Sequence, residues 1–281
     1  MMSSYGECNS HSLLSPPPAT QAGVYSALLG GGSEKDAYQT ELTVADELEN
    51  AVPGVKKAAG EGRKFIGRAA LTVGERGLSQ FIDLGSGLPR APYLHEIVRR
   101  DQREAKVVYV DHDPRVCRHG WVHLKGEGLA MVQEDIREID RVLANKDLLS
   151  IIDLDKPVAV VLGAICHFLT DEETTRILET LREILAPDSA AIVTHATTDG
   201  ATDQQIAAGR DVYTQVSEIH LRSRRQIQDL LSGWDLMEPG VVNPATWFPY
   251  DRWAPLEADP EAPLHMYGAV AWLLPSEGQA A

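Results

Sequence analysis

An apolar strand that runs directly into a glycine turn is the feature that most restricts how this chain can fold. Residues 81–87 read Phe-Ile-Asp-Leu-Gly-Ser-Gly, and a second apolar stretch ends on the acidic residues Asp111 and Asp113. In doubly wound α/β domains, glycines after the first strand let the backbone approach a nucleotide, and an acid after the second strand hydrogen-bonds the ribose. The pattern therefore predicts a nucleoside site at the carboxyl edge of a parallel sheet.

Two details of this turn indicate which nucleoside it holds. A dinucleotide fingerprint, Gly-x-Gly-x-x-Gly, uses its third glycine to pack helix on strand, and this chain has Arg90 at that position. An acid, Asp83, also precedes the turn. Asp-x-Gly-x-Gly suits a ligand without a pyrophosphate but with a cationic amino-acid end, which is typical of S-adenosylmethionine (SAM) sites. We therefore expect SAM as the cofactor, and a nicotinamide oxidoreductase is disfavoured.

Further cofactor contacts are expected where the next strands end. Asp111 is the expected ribose ligand, because it comes first after the apolar run, whereas Asp113 precedes a proline and is expected to cap a helix. Asp135 is expected near the adenine amino group, with Ile136 against the ring; a surface acid that caps the next helix is the alternative. The residues predicted to bind the cofactor from these positions are Asp83, Gly85, Ser86, Gly87, Asp111, His112, Asp135, Ile136, Gly163 and Ala164.

Two histidines are the candidate catalytic residues. His167 follows the fourth predicted strand, 157–165, whose small last residues leave room for adenosine and a methyl group. It could accept a proton from a hydroxyl or amine nucleophile. Because methyl transfer is an in-line displacement that proximity and alignment accelerate, a base is optional, and a packing or hydrogen-bonding role for His167 stays open. His195 ends the fifth predicted strand at the same rim and is a candidate substrate contact.

Composition limits the partners. A net charge of −15 disfavours nucleic acid, because phosphate binding needs concentrated Lys and Arg. No window approaches the roughly 18 apolar residues of a membrane span, and the N-terminus does not resemble a signal peptide. The three cysteines form no Cys-x-x-Cys pair, and His119 and His123 have no signposted third ligand, so no metal site is expected. A cytoplasmic protein that acts on a small molecule, with a homodimer as a possible assembly, is the expectation.

The order of predicted elements gives the domain plan. Strands and helices alternate five times and two strands follow, which favours an α/β fold with a seven-stranded sheet. Helix is expected over 210–231, and late strands over 234–242 and 267–274. An aromatic tract at 247–253 could wall an acceptor pocket or anchor a loop. The expected segments are a disordered tail at 1–21, an N-terminal helical segment at 22–78, the SAM-binding α/β domain at 79–275 and a tail at 276–281.

Several of these motifs together resemble one family. They are Val24-Tyr25 with Leu29-Gly30-Gly31, the stretch from Gln80 to Pro89, the stretch from Val108 to Pro114, His167-Phe168, and Thr194-His195-Ala196-Thr197. They are similar to an actinobacterial SAM-dependent methyltransferase family, long catalogued as a domain of unknown function. The resemblance implies a class I, Rossmann-like methyltransferase sheet, an N-terminal helical lid over the ligand, and a place for Tyr25 at the cofactor's methionine end.

The chain also departs from that family's pattern. Ser26 and Ala27 replace the usual Asp-Tyr after Tyr25, and Arg90 replaces a usual threonine. The SAM core looks retained while the lid and acceptor side look reworked, which suggests a specialised acceptor. The expected activity is methyl transfer from SAM to a small molecule, in secondary metabolism. Two alternatives keep SAM: its own amine could attack and release methylthioadenosine, or the protein could bind SAM without turnover.

Overall fold

One mixed sheet organises the structure, a computed structural model that describes residues 16–30, 37–249 and 263–274. Its seven strands lie in the order β3-β2-β1-β4-β5-β7-β6, with β1 to β5 parallel and β7 antiparallel to both neighbours. The strands are β1 Gln80–Leu84, β2 Lys106–Asp111, β3 Leu129–Gln133, β4 Ala159–Gly163, β5 Ala190–Ala196, β6 Asp235–Leu236 and β7 Met266–Trp272. The expected seven-stranded α/β sheet is confirmed.

The described helices cover both faces of this sheet. They are α1 Gln21–Leu28, α2 Gln39–Ala51, α3 Val55–Glu75, α4 Leu94–Val98, α5 Pro114–His123, α6 Ile139–Leu143, α7 Lys146–Ile151, α8 Asp171–Ile184, α9 Asp203–Tyr213 and α10 Arg224–Leu230. Asp113 caps α5 by accepting a hydrogen bond from the Arg115 N–H at 2.7 Å, as its position before a proline predicts. Strand β4 is buried on both faces, which explains its unbroken apolar run.

A change of direction between neighbouring strands creates the crevice. β1 and β4 lie side by side, but the chain leaves β1 towards β2 and leaves β4 towards β5. In open α/β sheets, ligands bind at the carboxyl ends of the strands where the order switches in this way. The loops at 85–87 and 163–165 therefore open on the same space. The N–H groups of Gly85 and Ser86 both donate to the Val110 carbonyl, which fixes the first loop against β2.

Two predicted elements were wrong in their extent. The helix expected over 210–231 is two helices, α9 and α10, because Thr202 and Ser223 each begin a new helix with a capping box. The strand expected over 234–242 is only Asp235–Leu236 plus one bridge from Val242 to Gly268. Helical capping signals thus outweigh the broader apolar periodicity in this part of the chain.

A buried carboxylate ties the N-terminal helices to the sheet domain. Glu41 of α2 is fully buried and accepts hydrogen bonds from the N–H and hydroxyl of Thr20, the cap of α1, at 3.2 and 3.0 Å. It also pairs with Arg115 of α5 at 2.7 Å. An added Cβ at Gly23 would lie 1.8 Å from the Glu41 carboxylate, so α1 fits here only with glycine at that position. Of the predicted tails, residues 1–15 and 275–281 lie outside the described residues.

Candidate functional site

Three neighbouring cavities that share lining residues lie over the carboxyl edge of the sheet. The central chamber, about 380 Å³, is lined by loops 85–87, 111–113, 135–137 and 163–165 and by α1. The arginine pocket, about 60 Å³, is lined by Arg63, Asp83, loop 85–87 and Arg90. The apolar chamber, about 110 Å³, is lined mainly by aliphatic and aromatic side chains of the helical segment, α9 and the start of β7. Tyr25 of α1 lines all three.

Asp111 is held rigidly in the central chamber. The Gly87 N–H donates to its Oδ2 and the Asp113 N–H donates to its Oδ1, both at 2.9 Å. Burial raises the pKa of Asp111, and these two donors act in the opposite direction. Each carboxylate oxygen keeps lone pairs for further donors, which is what a ribose diol offers. His112 lies beside it, with Nδ1 at 3.7 Å from Asp111 Oδ1.

The glycine turn leaves space for a ligand to approach the protein backbone closely. Gly85 and Gly87 have φ values of 72° and 66°, a region that favours glycine. An added Cβ at Gly85 would lie 2.6 Å from Ile165 across the opening. Ser86 Oγ is buried and has no hydrogen-bond partner among the described residues. A buried hydroxyl without a partner, in a cradle of bare backbone, fits a polar ligand such as SAM.

Asp135 and Ile136 both line the central chamber. Asp135 also caps the short 3-10 turn Ile136–Glu138, accepting from the Arg137 N–H at 2.9 Å, and pairs with the Arg137 guanidinium. Partial burial raises the pKa of Asp135, but the hydrogen bonds and charge of Arg137 outweigh it and bring the pKa below its ordinary value. Asp135 thus lies in the wall of the central chamber and also caps a helical turn, so its position is compatible with both interpretations.

The arginine pocket places charges of both signs around Tyr25. Burial raises the pKa of Asp83 to about 7, against the attraction of Arg63. Burial also raises the pKa of Tyr25 to about 12, and Asp83, Arg63 and Arg90 all lie close enough to influence it. Arg63 comes from α3, where it donates to the Pro92 carbonyl at 3.1 Å. The sequence analysis did not predict a role in ligand binding for Arg63 or Arg90. A signal for one existed, because the amino-acid end of SAM carries a carboxylate as well as an ammonium group, and a carboxylate is bound by a cationic side chain.

Small residues separate the central chamber from the apolar chamber. Ala164 has φ 55°, and its N–H donates to the Thr194 hydroxyl at 2.9 Å, which holds this unusual backbone in place. An added Cβ at Gly163 would lie 2.6 Å from Ile66 of α3. Ala164 and Phe168 line both chambers. The predicted Gly163–Ala164 step therefore lies where the two cavities meet.

His167 lines the apolar chamber. Its Nδ1 accepts a long hydrogen bond, 3.4 Å, from the Ala196 N–H, so the proton of the neutral ring is on Nε2. Burial lowers the pKa of His167 well below its ordinary value, and the nearby His195 and Arg222 lower it further. A neutral ring with Nε2 protonated can donate a hydrogen bond but has no free lone pair at that atom. The geometry thus favours the hydrogen-bonding interpretation of His167 over the general base.

His195 lies behind the chamber rather than in its wall. Its Nδ1–H donates to the Ala196 carbonyl at 2.6 Å, and its Nε2 accepts from Arg222 at 2.7 Å. Burial lowers its pKa to about 4. Arg222 also donates to the carbonyls of Cys166 and Leu169, which follow β4. Because both ring nitrogens are engaged inside the fold, this position offers no substrate contact for His195, and it supports the loop that carries His167.

The described part of the aromatic tract anchors a loop. Trp247 is buried against Phe65 of α3, with ring centroids 4.8 Å apart, and its carbonyl accepts from Arg68 at 3.0 Å. The Arg68 guanidinium lies 4.5 Å from the Phe248 ring centroid. Residues 250–253 lie outside the described residues. The histidines at 119 and 123 stack on each other, and the described residues contain no group of three metal ligands.

The sheet order and the glycine–acid site define a Rossmann-like domain of the class I methyltransferase type. The sequence profile of the S-adenosyl methyltransferase family matches residues 10–273, and the chain belongs to that family. SAM is therefore its cofactor, and the unpartnered Ser86 hydroxyl and the Asp111 carboxylate are compatible with that ligand. The expected family resemblance is confirmed.

Two solved structures share the fold over nearly their whole length. One is a provisionally assigned methyltransferase from Thermobifida fusca YX, with 32% identity, TM-score 0.80, and 92% of this chain and 96% of that chain covered. The other is a DUF574 family protein from Streptomyces avermitilis MA-4680, with 30% identity, TM-score 0.83, and coverage of 92% and 98%. The plantazolicin methyltransferase BpumL, at 9% identity and TM-score 0.52, with coverage of 90% and 96%, shares the fold alone. None of the curated proteins compared matches this chain.

Proposed function

We propose that this protein transfers a methyl group from SAM to a small, largely apolar acceptor bound in the apolar chamber. The observation that carries this proposal is the meeting of that chamber with the central chamber at Tyr25, Ala164 and Phe168. Bound SAM supplies an electrophilic methyl group on a sulfonium, and its product is S-adenosylhomocysteine. An acceptor in the apolar chamber would share a boundary with the cofactor and be shielded from water.

Different residues would bind different groups of the cofactor. Asp111 would bind the ribose hydroxyls, Asp83 the ammonium group, and Arg63 the carboxylate of the methionine end. The helical segment at 22–78 would act as the lid of the α/β domain at 79–275, since α1 lines all three cavities through Tyr25. Catalysis would then depend on alignment and desolvation, with His167 donating a hydrogen bond rather than accepting a proton.

An apolar chamber of this size supports a small molecule rather than a nucleic acid or a protein as the acceptor, and the charge of −15 supports the same choice. Its specialised acceptor would belong to secondary metabolism. No helix among the described residues is long and apolar enough to cross a membrane.

The test begins with SAM alone. Purified protein is titrated with SAM by calorimetry and incubated with it, and the adenosyl products are identified by mass spectrometry, before and after addition of an acceptor panel. We expect binding, no methylthioadenosine without acceptor, and S-adenosylhomocysteine in equal amount to methylated product when an acceptor is present. Steady methylthioadenosine release would replace the proposal with cyclisation, and binding without turnover across a broad panel would favour a SAM-binding protein.

A matched pair of variants checks that the signal comes from this site. Asp111→Asn removes the carboxylate that faces the ribose and should weaken SAM binding at least about tenfold, the cost of a charge-assisted hydrogen bond. Glu138→Gln changes an exposed acid on the 3-10 turn and should leave the affinity unchanged. Equal affinities for the two variants would mean that SAM binds elsewhere.

A further inference from the structure

His265 is a polar side chain in the wall of the otherwise apolar chamber. It precedes β7, next to Met266, which pairs with Ala196 of β5. The Thr197 N–H donates to the His265 carbonyl at 3.1 Å. The antiparallel pairing therefore brings His265 to the carboxyl edge of β5, the edge on which the cofactor loops lie.

The hydrogen bonds of His265 fix which nitrogen has the proton. Nε2 lies 3.1 Å from the Pro53 carbonyl oxygen, and because a carbonyl can only accept, Nε2 is the protonated atom. In the neutral ring, Nδ1 then has a lone pair. Nδ1 is buried and has no hydrogen-bond partner among the described residues, and the whole residue is only 8% exposed. Buried polar atoms without a partner are rare in folded proteins and call for an explanation.

We infer that His265 is the binding residue for the acceptor, and that Nδ1 accepts a hydrogen bond from a hydroxyl or amine on it. This inference rests on the proposed function. The chamber of about 110 Å³ is close in size to an engineered apolar cavity of roughly 150 Å³ that binds benzene. The acceptor class is therefore a ring-sized, mostly apolar molecule with one O–H or N–H donor. Since Nδ1 is buried in the ligand-free protein, this hydrogen bond requires the imidazole to turn towards the chamber that it lines.

Phenol and toluene are the matched probes, because they differ by a hydroxyl in place of a methyl group. Both are titrated by NMR into protein saturated with S-adenosylhomocysteine, so that no turnover is needed. His265→Gln keeps an N–H that can reach Pro53 but removes the Nδ1 acceptor. His265→Asn offers a carbonyl oxygen at the Nδ1 position and gives up the Pro53 contact. Comparing ratios of affinities cancels the different hydrophobicity of the probes.

We expect the phenol-to-toluene affinity ratio to fall about fivefold from wild type to His265→Gln, the worth of one hydrogen bond, and to stay near the wild-type value in His265→Asn. The same ratio in His265→Gln and wild type overturns the inference, as does a wild-type chamber that binds neither probe. Calorimetry with SAM on the same three proteins, without S-adenosylhomocysteine, separates the two proposals: SAM affinity tests the proposed function, and only the probe ratio tests His265.

Discussion

SAM affinity should depend steeply on pH below neutrality, because of Asp83. Burial raises the pKa of this carboxyl from 3.8 to about 7, so half of the ligand-free protein has it ionised at pH 7. About one molecule in eleven has it ionised at pH 6, and about one in a hundred at pH 5. In the proposed assignment the ammonium group of SAM pairs with the ionised form, so the dissociation constant should rise about tenfold for each pH unit below 7. Above about pH 8 the α-amino group of SAM loses its own proton, so affinity should be greatest between about pH 7 and 8.

The same group should affect the stability of the ligand-free protein with a defined sign. The folded state binds the Asp83 proton more tightly than the unfolded state, so this group makes the folded protein less stable as pH rises from about 4 to about 7. The shift corresponds to at most about 4 kcal/mol at 1.36 kcal/mol per pKa unit. Asp83→Asn removes the penalty, and the ligand-free variant should be more stable than wild type at pH 8 but not at pH 4.

Calorimetric titrations with SAM from pH 5 to 9, on wild type and Asp83→Asn, test the reasoning. The variant should bind SAM more weakly at pH 8 and show little pH dependence between 5 and 7. A wild-type dissociation constant that is flat between pH 5 and 7 would refute the assignment of Asp83 to the ammonium group. If Asp83→Asn keeps the wild-type slope, the titrating group is Asp111, whose pKa burial also raises.

Three further predictions concern packing around the site. Gly23→Ala places a Cβ 1.8 Å from Glu41 and should lower the free energy of unfolding by more than about 2 kcal/mol in chemical denaturation. The control is Gly60→Ala, whose added Cβ lies in a helix with nothing within 4 Å and should raise the free energy of unfolding by about 0.5–1 kcal/mol. Similar effects of the two substitutions would contradict the close packing of α1 against Glu41. Gly85→Ala combines a φ of 72° with a close contact and should weaken SAM binding at least about tenfold by calorimetry, and unchanged affinity would mean that the turn has room to shift. Arg222→Met leaves a buried imidazole and two carbonyls without their donor and should cost about 3–5 kcal/mol of stability; a loss below 1 kcal/mol would show that water replaces it.

The sheet and its cofactor loops could be predicted from the sequence because the signals are local. Each parallel strand is a short apolar run, and Gly85, Gly87 and Asp111 directly follow such runs, so periodicity and strand ends were enough to place them. The error over 210–231 had a local remedy as well. Ser223 and Gln226 form a capping box that marks the start of a second helix.

The remaining site residues come from places that only the tertiary fold brings together. Arg63 lies in the middle of a long helix and reaches the pocket because α3 packs across the sheet. His265 reaches the apolar chamber because β7 inserts antiparallel beside β5. For His195 the predicted position at a strand end is correct, but the predicted role is not supported. Arg222, which is distant in the sequence, donates a hydrogen bond to its Nε2. The spacing of residues along the sequence does not predict these tertiary contacts.

Tyr25 is the one residue, within the part of the chain that the structure describes, that lines all three cavities. Withdrawal of α1 would therefore open the cofactor and acceptor cavities together, and would let spent cofactor and product leave in the same step. A molecule with several methylation sites should accordingly be released after each transfer. We expect such a substrate to be modified distributively, with singly methylated product accumulating in solution before any doubly methylated product forms.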